Sequence, residues 1–364
     1  MKKILILTAP FGSGHLQAAK ALAKEFNNYQ DIIVDEYDFY SNKLPIRAKL
    51  IQKAYLNCYK PIGKNIYKTM FYRSDKAVFS PLRKMGKKQL HNKIASFKPD
   101  AIILTYPVTS LYYLKDFEHI PTFTVITDYY ANKLWFYKNT IRHYVANKNI
   151  ANYGIDHGFT KNRFKITGIP ILEEFYQKID KTPLYDKFGL KKEKDVILIA
   201  AGSYGVLPNA YELTKELSKT YKNLQIVVAC GNNNALLTKL QNLDKTYDNI
   251  IPLSYCNKMY ELLSLCQLII TKPGGLTLTE AAVKAVPVVM YNPMYGQEYE
   301  NALFFAKKDA GLLVTNKQEL TNAVANLLNN KHILNKTKKN IEKLALCYSA
   351  QIIVKDIMNY FKTI

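Results

Sequence analysis

The chain is poor in the residues and motifs that carry redox, metal and transmembrane chemistry. Five cysteines in 364 residues, at 58, 230, 256, 266 and 347, form no Cys-x-x-Cys pair and no ligand spacing, and an odd count suits a reduced compartment. They read as small apolar side chains. No apolar run approaches the ~20 residues that span a bilayer, so any membrane contact is expected to be peripheral. The opening Met1-Lys2-Lys3-Ile4-Leu5-Ile6-Leu7 imitates a signal peptide only briefly, because the run stops at Pro10 to Gly14 and no small-residue cleavage site follows. A cytoplasmic location is therefore expected. There is no G-x-x-x-x-G-K-[ST] loop and no complete G-x-G-x-x-G after the first strand, which disfavours a P-loop nucleotidase and a nicotinamide or flavin enzyme. Acidic residues are scarce as well: 29 Asp plus Glu face 51 Lys plus Arg, a formal charge of +22. Tryptophan occurs once against 28 tyrosines, a balance that assigns no role by itself.

What remains is a globular composition, 48% hydrophobic and 22% charged, too apolar for a disordered chain and too charged for an integral membrane bundle. At roughly 150 residues per domain the length argues for two domains. The charge is concentrated: residues 1–170 carry +16 and residues 171–364 carry +6. Within the first half, Lys43 to Lys93 holds 14 basic residues and one acid, Asp75, and so supplies +13 on its own. Such a block faces an anionic partner or water.

Lys3 to Thr8 is a short apolar run, followed by Gly12-Ser13-Gly14-His15 and then Ala18, Ala19, Leu22, Ala23 and Phe26 at helical spacing. This is strand, glycine turn, helix. Further strands are expected at Ile32–Val34, Ala101–Leu104 and Thr122–Ile126, then at Val196–Ala201, Gln225–Ala229, Leu268–Thr271 and Val286–Tyr291, with helices at Ala210–Tyr221 and Met259–Cys266 among those between them. Apolar runs without alternation suit parallel strands covered on both faces. The expected fold is α/β: two Rossmann-like, doubly wound domains in tandem, with no internal repeat. The expected boundaries are 1–172, with an insertion at about 42–93, then 183–340, then a C-terminal helix in 341–364 packing back on the first domain.

The insertion is helical in pattern. Ile46, Leu50, Ile51, Ala54, Tyr55 and Cys58 share one face, Ile62, Ile66 and Met70 form a later stripe with Lys60, Lys64 and Lys68 beside it, and Tyr59, Tyr67, Phe71, Tyr72 and Phe79 are interleaved. Basic, aromatic and amphipathic together suits a helix in a lipid interface. The alternative is an apolar stripe packed on the domain with solvated lysines.

Two glycine turns fall at strand ends in the second domain, Gly202-Ser203-Tyr204-Gly205 and Lys272-Pro273-Gly274-Gly275-Leu276-Thr277, the latter opening a helix that carries Glu280. Glycines admit backbone amides to a ligand, and a helix start favours an anion, so the second turn suits a diphosphate, with Thr277 as a hydroxyl donor and Glu280 able to accept both hydroxyls of a ribose. The alternative is a threonine-capped helix with an acid in its first turn. His15, at the tip of the first turn, can serve as a general base near neutral pH or as a structural hydrogen-bonding residue.

Together with Thr127-Asp128-Tyr129 and Trp135, Gly168-Ile169-Pro170, Gly231-Asn232, and Gly296-Gln297-Glu298 with Asn301, these motifs resemble the monogalactosyldiacylglycerol synthase and processive diacylglycerol glucosyltransferase family, inverting glycosyltransferases of GT-B architecture. The peptidoglycan enzyme that adds N-acetylglucosamine to lipid I is a more distant relative. The match runs from the first strand to about residue 315. The resemblance implies a UDP-sugar donor, UDP-glucose or UDP-galactose, no further cofactor, and diacylglycerol as acceptor at an anionic phospholipid surface on the inner face of the cell membrane. It implies His15 as base, with Asp128 as a second candidate or as the group orienting it. The backbone near Tyr255 and Cys256 would meet the uracil, Glu280 the ribose, Gly274, Gly275 and Thr277 the diphosphate, and Gln297 and Glu298 the sugar. Gly14, Gly202, Ser203, Tyr204, Gly231, Asn232, Met259, Lys272 and Leu276 complete the donor site so implied. No Asp-x-Asp is present to hold a divalent metal, so metal-free stabilisation of the leaving group is expected. One departure is Asn132, where the family usually has histidine; Tyr129 for Phe and Gln267 for Asp are milder. A polyprenyl-linked or other amphiphilic acceptor, and a UDP-sugar epimerase lacking any lipid-docking insertion, are the alternatives within this fold. Nucleic-acid binding fits poorly, because the basic residues cluster on an amphipathic segment while a sugar-nucleotide motif lies elsewhere.

Overall fold

The structure, a computed structural model, describes residues 1–10, 12–38, 63, 68–69, 71–72 and 83–363. The expected helical faces at 46–58 and 62–70, with Lys60, Lys64, Tyr67 and Phe79, lie outside the described residues apart from Lys68.

The chain forms two compact units: Met1–Glu173 with Met294–Glu300 and Leu346–Ile364, and Glu174–Pro293 with Asn301–Ala345. In the first, β1 (Lys2–Thr8), α1 (Ser13–Phe26), β2 (Ile32–Asp38), α2 (Lys87–Phe97), β3 (Ala101–Leu104), β4 (Thr122–Val125), β5 (Thr140–Val145), α3 (Lys148–Asp156) and β6 (Phe164–Ile166) follow in order. The second contains α4 (Thr182–Phe188), β7 (Asp195–Ala200), α5 (Ala210–Thr220), β8 (Leu224–Ala229), α6 (Asn234–Asp244), β9 (Ile250–Leu253), α7 (Met259–Leu265), β10 (Leu268–Thr271), α8 (Gly275–Val283) and β11 (Val288–Tyr291). Then come α9 (Gln297–Ala306), β12 (Gly311–Val314), α10 (Lys317–Asn329), α11 (Lys331–Glu342) and finally α12 (Ser349–Thr363).

Each unit holds a six-stranded sheet, ordered β2-β1-β3-β4-β5-β6 and β12-β11-β10-β7-β8-β9, and every strand pair is parallel. The order reverses between β1 and β3 in one sheet and between β7 and β10 in the other. A crevice opens at such switch points, beyond the carboxyl ends of the strands.

Burial explains the strand pattern. Ile4, Leu5, Ile6 and Leu7 are all inaccessible to solvent. Ile4 and Ile6 pack with Leu22 and Phe26 of α1 and with Ile353 and Ile357 of α12 on one face, while Leu5 and Leu7 meet Leu90 and Ile94 of α2 on the other. A sheet buried on both faces needs apolar side chains at successive positions. The C-terminal α12 is also tied by polar contacts: Asp356 accepts from Tyr144 Oη (2.9 Å) and Lys165 Nζ (2.7 Å) and pairs with Arg142, and Ser349 Oγ donates to the Thr167 carbonyl (2.6 Å).

β5 has the sequence Thr-Ile-Arg-His-Tyr-Val, whose polar centre gives no strand signal, and β6, β9 and β12 are likewise absent from the sequence reading. His143 in β5 is fully buried with neither ring nitrogen hydrogen-bonded, enclosed by Phe136, Phe159 and Phe164 with ring centroids 5.2 to 5.5 Å away. Burial, then the neighbouring Arg163 charge, push its pKa down to about 3.

Candidate active site

In the first unit the crevice is built around His15. Gly12, at φ 86°, is in the left-handed region that suits glycine and lets the chain turn from β1 straight into α1. His15 then falls in the first turn of α1, buried, where three strand ends meet it. Thr105, which follows β3, accepts from His15 Nδ1 through its carbonyl at 2.9 Å; Thr127, beyond β4, places Oγ1 2.8 Å from the same nitrogen. The Thr105 hydroxyl also donates to the His15 carbonyl (3.2 Å). A carbonyl can only accept, so the contact keeps the proton on Nδ1 and leaves the lone pair on Nε2. Among the described residues Nε2 has no hydrogen-bond partner. Tyr106 meets the ring edge-on at 5.1 Å, and Trp135 lies tilted at 6.1 Å. Burial, only partly opposed by the Thr105 bond, lowers the imidazole pKa to about 4, so the ring is neutral at physiological pH. Asp128 is buried beside Thr127, and the hydrogen bonds described for the His15 ring are to the two threonines. Asn132 turns its side chain on its own backbone, accepting from Leu134 N at 3.1 Å.

In the second unit β7 and β10 deliver the two glycine turns to one place. Gly202 is at φ 75°, and a Cβ there would come within 3.4 Å of Lys272 Cε, so the Lys272 stem covers this turn. The Gly231–Asn233 segment, after β8, interlocks with it: Asn232 N–H donates to the Ser203 carbonyl (2.9 Å) and Asn233 Nδ2 to the Gly205 carbonyl (2.9 Å). Tyr204 is half-buried within this turn. The other turn is pinned from behind, since buried Asn301 of α9 donates to the Pro273 carbonyl at 3.1 Å. In front of Gly274 there is open space, with no atom within 4 Å of a Cβ placed on it. The start of α8, at Gly275 and Leu276, carries no side-chain cap. Thr279 spends its hydroxyl on the Gly275 carbonyl (2.7 Å), whereas Thr277 has no such bond among the described residues. Of the two arrangements the sequence allows, a threonine-capped helix and an open amide end, the geometry favours the open amide end.

Glu280, one turn further, has no hydrogen-bonding or ionic partner among the described residues, and burial raises its pKa to about 8. A carboxyl in that environment gains most from a ligand that supplies hydroxyl donors. Tyr255 is 45% exposed, Cys256 is half-buried with its thiol pKa raised by burial, and Met259 begins α7; the three follow β9 in one loop. Gln297 and Glu298 open α9 in a turn that groups with the first unit. Glu298 is buried, and its Oε2 accepts from Met294 N (2.9 Å), so this carboxylate shapes the turn, while the Gln297 amide has no partner among the described residues. No three His, Cys, Asp or Glu side chains come together as a metal group among the described residues.

Two parallel Rossmann-like units, each with a glycine turn and a helix start at its switch point, define the class of fold: a GT-B-type α/β architecture. The solved structures it resembles agree on the fold. S. aureus MnaA in its UDP co-structure superposes with a TM-score of 0.67 at 16% identity, covering 100% of this chain and 98% of that one. Acinetobacter baumannii MurG gives 0.61 at 17% identity over 98% and 99%. Residues 15–171 match the family model for monogalactosyldiacylglycerol (MGDG) synthase, and residues 196–351 the glycosyltransferase family 28 C-terminal domain. A protein of Bacillus licheniformis named processive diacylglycerol beta-glucosyltransferase is 38% identical over 364 residues, 98% of this chain and 94% of that protein. The chain belongs to the diacylglycerol glycosyltransferase family.

Proposed function

We propose that the protein moves a hexose, glucose by analogy with its Bacillus relatives, from a UDP-sugar to the free hydroxyl of diacylglycerol with inversion at the anomeric carbon. The observation that carries this reading is the state of His15: neutral, with Nδ1 tied to the Thr105 carbonyl and the Nε2 lone pair unspent. In the reaction the acceptor oxygen attacks the anomeric carbon as its proton passes to Nε2, the bond from that carbon to the diphosphate oxygen breaks, and UDP departs with the electron pair. A histidine of low basicity removes little charge from a ground-state hydroxyl but serves once the oxygen becomes acidic during bond formation. Asp128 is the second candidate for this role.

The departing UDP is stabilised by the amide end of α8 at Gly274, Gly275 and Leu276, with the Thr277 hydroxyl and the Lys272 ammonium beside it. Glu280 takes the ribose diol, the loop of Tyr255, Cys256 and Met259 the uracil, and Gln297 the hexose. Gly202, Ser203, Tyr204, Gly231 and Asn232 form the floor on which the diphosphate rests.

The +13 segment of residues 43–93 is the proposed membrane-docking element, bringing the enzyme to an anionic bilayer that contains its acceptor. No helix among the described residues is long and apolar enough to cross a membrane. The test is incubation with anionic vesicles containing diacylglycerol and a panel of UDP-sugars. UDP release and a β-glycosyl lipid are expected, and His15→Ala should abolish both. Release at the parental rate by His15→Ala would defeat the assignment of the base. Neutralising Lys60, Lys64 and Lys68 should weaken vesicle binding, most at low salt; unchanged binding would return those lysines to a solvated face.

A further inference from the structure

The turn from Met294 to Glu300 is held from two sides. From within, Glu298 accepts from Met294 N, Tyr299 N–H donates to the Met294 carbonyl (3.1 Å) and Glu300 N–H to the Gly296 carbonyl (3.0 Å). From without, it is held by side chains of the basic insertion, which is more than two hundred residues away in sequence. Gly296 sits at φ 89°, and a Cβ on it would come within 2.7 Å of Phe71 Cγ, so the Phe71 ring lies flush on the one residue of the turn that has no side chain. Tyr72 Oη donates to Glu300 Oε1 at 2.5 Å. Lys68 Nζ stands 4.6 Å from the centre of the Tyr295 ring. A ring, a charge-assisted hydrogen bond and a cation over an aromatic face thus fall on three different residues of one short turn, and Gln297 lies between them.

We propose that Phe71 and Tyr72 are positioning residues for the donor's hexose, holding the Met294–Glu300 turn in the shape that presents the Gln297 amide. This rests on the reading of Gln297 as a sugar contact. The fit is specific in both directions. A larger residue at 296 cannot coexist with the Phe71 ring, and without Tyr72 the Glu300 carboxylate loses its hydroxyl donor. Burial first and then the bond to Glu300 keep the Tyr72 phenol protonated far into the alkaline range, so it remains a donor throughout the working range. Since both residues lie inside the segment proposed to meet the bilayer, the part of the chain that docks is also the part that shapes the sugar turn.

The experiment is steady-state kinetics with UDP-glucose at saturating diacylglycerol vesicles, together with product inhibition by UDP and vesicle co-sedimentation. Tyr72→Phe keeps the ring and removes the hydroxyl. It is expected to lower kcat/KM for UDP-glucose about tenfold, the scale of one charge-assisted hydrogen bond, and to leave the UDP inhibition constant and vesicle binding at parental values, because UDP has no hexose. Glu300→Ala should do the same, Glu300→Gln, whose amide oxygen still accepts from Tyr72, should lose less, and the double variant Tyr72→Phe with Glu300→Ala should be no worse than either alone. Phe71→Ala should lose more than Phe71→Leu, which still covers Gly296. Parental kcat/KM in Tyr72→Phe and Phe71→Ala would overturn the proposal, as would an equal loss of affinity for UDP, which marks general damage. Gln297→Ala separates the two layers: if it raises KM for UDP-glucose while Tyr72→Phe does not, the positioning role fails alone. If Gln297→Ala leaves that KM unchanged, the sugar contact fails and the positioning role with it.

Discussion

Replacing Gly231 by alanine probes the construction of the proposed donor crevice most directly. The residue is at φ 59°, and an added Cβ would lie 2.2 Å from the Gly202 carbonyl oxygen and 2.7 Å from that of Ser203, both backbone atoms of the facing turn. Two costs combine. Holding an alanine in the left-handed region costs about 1–2 kcal/mol. Relieving the overlap requires the two turns to separate by about 1 Å, well beyond ordinary contact distance, which breaks the Asn232 N–H bond to the Ser203 carbonyl at a cost of about 1–3 kcal/mol. The sum is about 2–5 kcal/mol. Gly189 supplies the comparison, because it is also left-handed, at φ 65°, but has nothing within 4 Å of its Cβ position, so alanine there carries the conformational cost alone. At about 2–4 °C per kcal/mol for a unit of this size, Gly189→Ala should lower the melting temperature of the second unit by a few degrees and leave UDP affinity untouched. Gly231→Ala should lower it by about 4–20 °C, centred near 10 °C, and weaken UDP binding measured calorimetrically. Equal melting shifts in the two variants, with parental UDP affinity in Gly231→Ala, would refute the reasoning.

Three further outcomes follow from the first unit. Asp356→Ala removes the acceptor of a fully buried Tyr144 hydroxyl and two ion-pair contacts, so it should cost about 2–4 kcal/mol and expose α12 to limited proteolysis. A parental proteolysis rate would show that apolar packing alone holds this helix. His143 is a base whose folded pKa, about 3, lies below its ordinary 6.5. Its contribution to stability is therefore complete above pH 6.5 and is lost as pH falls towards 3, about 2–3 kcal/mol being gone at pH 4.5. His143→Phe should flatten acid denaturation over that window, and an unchanged acid midpoint would show that other groups drive it. For the reaction, the acid limb of kcat/KM should fall near the His15 pKa of about 4, and a limb at 6.5 would mean that a different or less buried group is the base.

The strands that form the two switch points were the legible ones. β1, β3, β7 and β10 are central and buried on both faces, so their side chains are apolar in unbroken runs. β5 is hidden because its polar side chains find partners only in the folded unit: Arg142 on Asp356 of α12, and His143 among three phenylalanines. The same division runs through the site. His15 and Gly274 announce themselves locally, by glycines next to a strand and a helix. The threonines that hold His15 are 90 and 112 residues away, and nothing in the local pattern of either says that the residues after β3 and β4 meet the first turn of α1. The available signal was positional, the first residues after two expected strands, but using it requires the strand order. Asn301 is similar: its motif was legible, whereas the tie to the Pro273 carbonyl exists only because α9 lies behind the glycine turn.

The charge distribution takes on a different meaning beside the state of His15. The first half of the chain carries +16, and a positive surroundings of that size could have been the reason for a neutral histidine. Yet the cause of the low His15 pKa is burial, and among the described residues no neighbouring cation contributes. A state set by desolvation should not be retuned when surface charge is screened. Salt acts on exposed charges over a Debye length of about 8–10 Å and hardly at all on desolvation. Rising ionic strength should thus reduce the fraction of enzyme at the bilayer while the acid limb of the bound enzyme stays where it is. The proposed docking and the protonation state of His15 are separable on this reasoning, because one rests on net charge and the other on exclusion of solvent.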